Sequence, residues 1–217
     1  MKKKLVLFGL FFLLLLTVFY FMLFQGNDYY KVKLPVLSHV QDFRFISQNG
    51  KAVSRNDMVG KVYVTEYFFT TCKGICPKMN ENMKQVFEKF KDHGDFAIIS
   101  HTSMPETDSV PLMKKYEAKL IGGNPAYPAK WYFLTGQKDS LYRMARESYL
   151  LDNDKNPTAN IADRFIHTQF FALVDKDQQV RGIYDGLKTE ELKQLEDDIE
   201  QLLEETSSGR TVQHSGF

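Results

Sequence analysis

The sequence predicts an α/β protein, a central mixed sheet flanked by helices, carried behind an N-terminal apolar helix. Three observations predict it. An uncharged run from Leu5 to Phe24 follows Met1-Lys2-Lys3-Lys4. From about Asp42 onward, runs rich in β-branched and aromatic residues alternate with segments of helical periodicity. The only two cysteines among 217 residues, Cys72 and Cys76, sit where one such β-rich run gives way to a helix.

At about 1.5 Å per residue the Leu5 to Phe24 run spans the roughly 30 Å hydrocarbon core, so residues 1–24 read as one transmembrane anchor. A cleavable signal peptide has a shorter apolar region, about 7 to 15 residues, and a small-residue cleavage site, and neither precedes Gln25-Gly26-Asn27. A buried core helix of that length is rarely apolar on every face. Lysines before the span and none just after it until Lys31 put the N-terminus in the cytoplasm and the rest in the periplasm or outside, on a single-pass chain of the cytoplasmic membrane. The thiols then face an oxidising compartment. Without the three leader lysines, 25 of the 28 basic residues remain against 27 acidic ones. This near-neutral balance has no basic patch that suggests nucleic acid.

Residues 25–41 are polar and tyrosine-bearing, with Pro35 among them, and read as a juxtamembrane linker. The domain then runs over 42–205. Phe43-Arg44-Phe45-Ile46 alternates and meets Asn49-Gly50, a hairpin signal with a return strand toward Val53. Lys61 to Thr70 is a strand with the composition of one buried on both faces. The next helix, from about Pro77 to Lys91, carries Met79, Met83, Val86, Phe87 and Phe90 at helical spacing, with Pro77 suited to a first turn. Asp95 to His101 is a strand, Val110 to Lys119 a helix, Lys130 to Leu134 a short strand and Gln137 to Arg146 a helix. Leu151 to Asp163 reads as an inserted loop. Thr168 to Val174 and Gln179 to Tyr184 form a hairpin, Lys188 to Glu204 closes as an amphipathic helix, and 206–217 is a flexible tail.

A strand, a CxxxC turn and a helix, followed by β-α and then an antiparallel hairpin with a last helix, make a thioredoxin-like layout with an N-terminal hairpin and an inserted loop. The parallel strands ending near Thr70 and His101 bring their carboxyl ends to one edge of the sheet, where ligands of such sheets gather. A strand beginning at Thr168 and running antiparallel to them starts at that edge, which sets His167 opposite Cys72 and Cys76. Two thiolates and an imidazole suit Cu(I) and, with an added ligand, Cu(II). A structural zinc site usually has a fourth protein ligand, and the chain has no further cysteine. The helix N-terminus and Lys73 are expected to lower the thiol pKa, and without a metal the pair is a natural disulfide. A purely structural disulfide across so short a loop would remove little unfolded-chain entropy.

Thr71-Cys72-Lys73-Gly74-Ile75-Cys76-Pro77, then Trp131-Tyr132-Phe133-Leu134-Thr135-Gly136, then Ile166-His167-Thr168 leading into Phe171-Ala172-Leu173-Val174-Asp175, resemble the SCO/SenC family. The resemblance covers roughly Asp42 to Leu203. It implies a membrane-anchored, thioredoxin-fold copper chaperone that delivers copper to the dinuclear copper centre of cytochrome c oxidase, with Cys72, Cys76 and His167 as the metal ligands. The partner it implies is the copper-receiving oxidase subunit. Such a chain is not an enzyme in the turnover sense. The family also admits a thiol-disulfide oxidoreductase that keeps the acceptor's cysteines reduced, with Cys72 attacking and Cys76 resolving. Where the family shows Asp-Pro-Glu-x-Asp, this chain has Met104-Pro105-Glu106-Thr107-Asp108, so Met104 stands in place of the first acid.

Other residues read more plainly. His101 shares the sheet edge and is a candidate to support the ligands. Met79 and Met83 read as core, Asp108 as the cap of the following helix, and the acids from Glu190 to Glu200 as a solvated helix face.

Overall fold

The computed structural model describes residues 2–25, 33–122, 130–152 and 168–205. Two compact units divide the chain, one ending at Leu34 and one beginning at Pro35. The first contains α1 (Lys2–Gln25), a helix of 24 residues. Among the described residues no helix is long and apolar enough to cross a membrane.

The second unit is built on one sheet. Its strands are β1 (Ser38–His39), β2 (Arg44–Ser47), β3 (Ala52–Ser54), β4 (Val62–Phe68), β5 (Phe96–Thr102), β6 (Trp131–Thr135), β7 (Phe170–Val174) and β8 (Gln179–Asp185). They lie in the order β1-β8-β7-β4-β5-β6-β2-β3. β4, β5 and β6 are parallel, and the remaining pairings are antiparallel, so the sheet is mixed. The helices are α2 (Cys76–Phe90), α3 (Val110–Ile121), α4 (Lys138–Arg143), continued by a π-helical turn over Met144–Ser148, and α5 (Thr189–Glu204). This is the mixed sheet with flanking helices expected from the sequence.

β4 and β5 hold the centre because every residue of both is buried, as their β-branched and aromatic composition requires. Alternation sends their side chains to two faces. On one face Phe68 stacks on Tyr116 of α3 at 5.2 Å and Trp131 meets Phe87 of α2 at 5.4 Å. On the other, Tyr67 and His101 pack with Phe45 and Tyr149. α2 buries Met79, Met83, Val86, Phe87 and Phe90, a stripe at helical spacing, and each such side chain contributes roughly 1.5–3 kcal/mol. Met79 and Met83 are therefore core, as read. In the β2-β3 hairpin Gly50 takes φ 70°, and its N–H donates to Ser47 O at 2.9 Å. That left-handed turn is where the Asn49-Gly50 pair signalled it.

Residues 35–41, assigned to the linker by their composition, are instead an edge of the sheet. Leu37 N–H donates to Val180 O at 2.8 Å and Val40 N–H to Gln178 O at 2.9 Å. Polarity misled here because an edge strand buries one side only. Most of the inserted loop and all of the tail fall outside the described residues.

Candidate metal centre

After Phe68 the chain leaves β4 through residues 69–75 and enters α2 at Cys76. Cys72 N–H donates to Phe69 O at 3.2 Å, closing a turn, and Lys78 and Met79 N–H donate to Ile75 O at 3.1 and 3.0 Å, opening the helix. Pro77 occupies the first turn, where its missing N–H leaves no helix bond unmade. Both thiols are free, Cys72 half-buried and Cys76 buried. Burial first, then the neighbouring Cys72 thiol and its charge, push the Cys76 thiol up to about 12. The expected lowering by the helix N-terminus and Lys73 does not hold for Cys76. Desolvation of a side chain turned into the protein outweighs a helix-end effect of order 1 kcal/mol.

His167 lies outside the described residues, so the third predicted ligand is not placed beside the thiols. Among the described residues no cluster of three or more His, Cys, Asp or Glu side chains is arranged to hold a metal. The strand that follows His167 does run as predicted: β7 pairs antiparallel with β4, with Ala172 opposite Thr65, so its beginning faces the carboxyl end of β4. His101 does not support the ligands. It lies on the opposite face, fully buried, with both ring nitrogens lacking a hydrogen-bond partner among the described residues. Strand alternation explains the miss: Ser100 and Thr102 turn toward α2 and α3, and His101 between them turns away.

Two acids that sequence reasoning did not place at the site belong to its surroundings. Glu66 is buried in β4 and accepts from Ser100 Oγ at 2.7 Å, while Ser100 Oγ accepts from Trp131 Nε1 at 2.9 Å. Its Oε2 has no hydrogen-bond partner among the described residues, and burial raises its carboxyl from an ordinary 4.5 to about 7. The charge of Glu66 acts on the Cys76 thiol, and with Cys76 it holds the Tyr116 phenol, already raised by burial, above its usual range. A lone acid inside an otherwise apolar strand was the available signal. Asp108 is not the cap of α3; Ser109 occupies that position and makes no side-chain cap bond. The Asp108 carboxylate turns inward and accepts from Thr70 Oγ1 at 2.6 Å and from Thr102 Oγ1 at 2.5 Å. Met104 N–H donates to Thr102 Oγ1 at 2.9 Å.

A mixed sheet with a free dithiol at the mouth of the helix after its central strand defines a thioredoxin-like domain. The chain belongs to the SCO1/SenC family, whose model matches residues 34–204. The SCO1 protein homolog of Bacillus subtilis is 32% identical over 173 residues, covering 79% of this chain and 85% of that protein. BsSco, a member of the Sco family of cytochrome c oxidase assembly proteins with an identified disulfide switch, is 30% identical with a TM-score of 0.63, over 80% of this chain and 98% of that one. ScoI of Bradyrhizobium japonicum, solved with copper bound, shares the fold at 21% identity and a TM-score of 0.58, over 76% of this chain and 99% of that one.

Proposed function

We propose that this chain is a membrane-anchored copper chaperone that carries copper on Cys72, Cys76 and His167 and passes it to the copper-receiving subunit of cytochrome c oxidase. The observation that carries the reading is the pair of free thiols, Cys72 in the turn before α2 and Cys76 at its first residue, in a chain of the SCO1/SenC family. Soft sulfur donors suit Cu(I), and a neutral imidazole adds the nitrogen that Cu(II) prefers. Copper here is cargo, and ligand exchange with an acceptor's cysteines moves it without turnover. Anchoring rests on the uncharged Leu5 to Phe24 run behind three lysines, with the domain outside the cytoplasm.

A second reading is favoured by the unequal exposure of the two thiols. Half-buried Cys72 suits an attacking thiolate and buried Cys76 a resolving thiol, the arrangement of a disulfide reductase acting on the oxidase subunit. Copper stoichiometry of the full chain in detergent, with its thiols reduced, tests the chaperone reading. The expected result is one copper per chain, lost in Cys72→Ser and Cys76→Ser, with His167→Ala weakening Cu(II) more than Cu(I). Equal copper retention in the double serine variant overturns it. Intact copper binding and oxidase assembly in His167→Ala, with only the cysteine variants defective, transfers the function to the reductase.

A further inference from the structure

Asp108 is fully buried, its relative exposure 0%, and no lysine or arginine pairs with it among the described residues. Removing a carboxylate from water is expensive unless hydrogen bonds replace the lost hydration. Here the replacements converge from two strand ends. Thr70 supplies its hydroxyl at 2.6 Å and its N–H at 3.3 Å to both carboxylate oxygens. Thr102 supplies its hydroxyl at 2.5 Å. Asp108 N–H returns to Met104 O at 2.9 Å, and Ser103 N–H donates to Phe68 O at 2.8 Å. The side chain thus joins the exit of β4 to the exit of β5, and the main-chain N–H of the same residue closes the turn that begins at Met104.

The exit of β4 is the part that bears on the thiols. Thr70 lies two residues before Cys72, inside the turn closed by Cys72 N–H and Phe69 O. Cys76 is fixed separately as the first residue of α2. The distance between the two sulfurs therefore depends on the direction in which the chain leaves Thr70, and Asp108 holds both polar groups of Thr70 that set it. We propose that Asp108 is the positioning residue of the thiol pair, keeping Cys72 Sγ within reach of Cys76 Sγ by clamping Thr70 against the end of β5.

The proposal rests on the reading of Cys72 and Cys76 as the working pair, and it holds for metal capture and for disulfide exchange alike. A disulfide needs its Cβ atoms about 3.5–4.5 Å apart. A clamped loop keeps one thiol at high effective concentration at the other, which favours the closed bond. In a glutathione buffer the Cys72–Cys76 bond forms as two thiols give up two electrons and two protons, and one glutathione disulfide becomes two glutathione thiols. The ratio of the two chain forms at a fixed buffer composition reads the effective concentration directly.

The test is that equilibrium, followed by thiol trapping on the full chain in detergent. Asp108→Asn replaces an acceptor oxygen with a donor facing donors, and should shift the equilibrium about tenfold toward the dithiol, equivalent to ~30 mV. Thr70→Val removes the hydroxyl and leaves the N–H arm, so a smaller shift of the same sign is expected. Asp57→Asn is the control, because Asp57 makes the same pair of bonds, to Ser54 N–H and Oγ at 2.7 Å each, away from the thiols. It should leave the equilibrium where it was. An unchanged equilibrium in Thr70→Val and in folded Asp108→Asn overturns the proposal, and if Asp108→Asn does not fold, Thr70→Val alone decides. A wild-type chain that binds no copper, with these shifts still seen in the two variants, counts against the chaperone reading and leaves the clamp standing.

Discussion

Glu66 and His101 are two fully buried titratable side chains on neighbouring parallel strands, one residue out of register, and they stand on opposite faces of the sheet. Glu66 faces α2 and α3 in a chain of polar groups, Ser100 and Trp131, and its charge reaches Cys76 and Tyr116. His101 faces an aromatic box, with Tyr67 stacked at 5.2 Å and Phe45 and Tyr149 each at 5.4 Å, and its ring nitrogens have no hydrogen-bond partner among the described residues. Burial perturbs both. Only one of the two perturbations is connected to the thiols, so a shifted titration by itself does not mark a site, whereas a shifted group wired to a reactive side chain does.

The two faces also pull the stability of the fold in opposite directions with pH. Burial lowers the His101 imidazole from 6.5 to about 3. Between those values the unfolded chain takes up a proton that the fold refuses, so stability falls as pH falls below about 6.5. At about 1.4 kcal/mol per unit the whole span is worth about 5 kcal/mol. Glu66 is raised, from 4.5 to about 7, so the fold holds a proton that the unfolded chain has released. Its contribution is present below about 4.5 and is lost as pH rises toward 7, about 3 kcal/mol in all. From pH 4.5 to 6.5 the two slopes oppose each other.

The largest expected effect breaks that balance on the aromatic side. His101→Phe removes the acid-side loss, so stability measured by urea unfolding should decline steadily from pH 4.5 to 7 and no longer fall off below 4.5 on account of this residue. The slope is the readout, because a change in packing shifts all pH values together. A variant whose pH slope matches the wild type would mean that the imidazole accepts its proton inside the fold.

Glu66→Gln is the smaller counterpart. It keeps an acceptor for Ser100 and removes the carboxyl's titration, leaving His101 alone, so stability should climb by about 1.4 kcal/mol per pH unit between 4.5 and 6.5. A flat profile across that window in the variant, together with a flat one in the wild type, would show that neither group carries its burial as drawn.

The same asymmetry decides how much of the molecule was legible beforehand. α2 was expected from about Pro77 to Lys91 and runs Cys76–Phe90; the last helix was expected from Lys188 and begins at Thr189. Those elements are written in local periodicity and in the chemistry of their first turns. The thiol pair was legible for a similar reason, since four residues of spacing bring both sulfurs to one turn. β1 was not, because two residues paired to β8 leave no repeating pattern. Asp108 and His101 were misplaced and Glu66 was not singled out, because each is defined by a partner 34 or more residues away, as in the Glu66 to Ser100 bond, or by which way a strand residue turns. An aspartate before Ser109 and Pro111 looks like a cap until Thr70 and Thr102 arrive from elsewhere in the chain.

The smallest expected effect is at Cys76, and it asks whether the polar face reaches the chemistry. Of the causes that raise the Cys76 thiol to about 12, burial leads and the charge of Glu66 is last. Glu66→Gln should therefore lower that thiol only slightly. The thiolate is the form that reacts with an alkylating reagent, so with Cys72 replaced by serine the Cys76 alkylation rate of the Glu66→Gln chain should exceed that of its parent. The excess should appear as pH passes about 7, where Glu66 acquires its charge in the parent. His101→Phe in the same background should leave the rate unchanged, because the imidazole lies across the sheet and stays neutral at these pH values. If His101→Phe moves the rate as far as Glu66→Gln does, the sheet transmits both perturbations alike and the distinction between its faces fails.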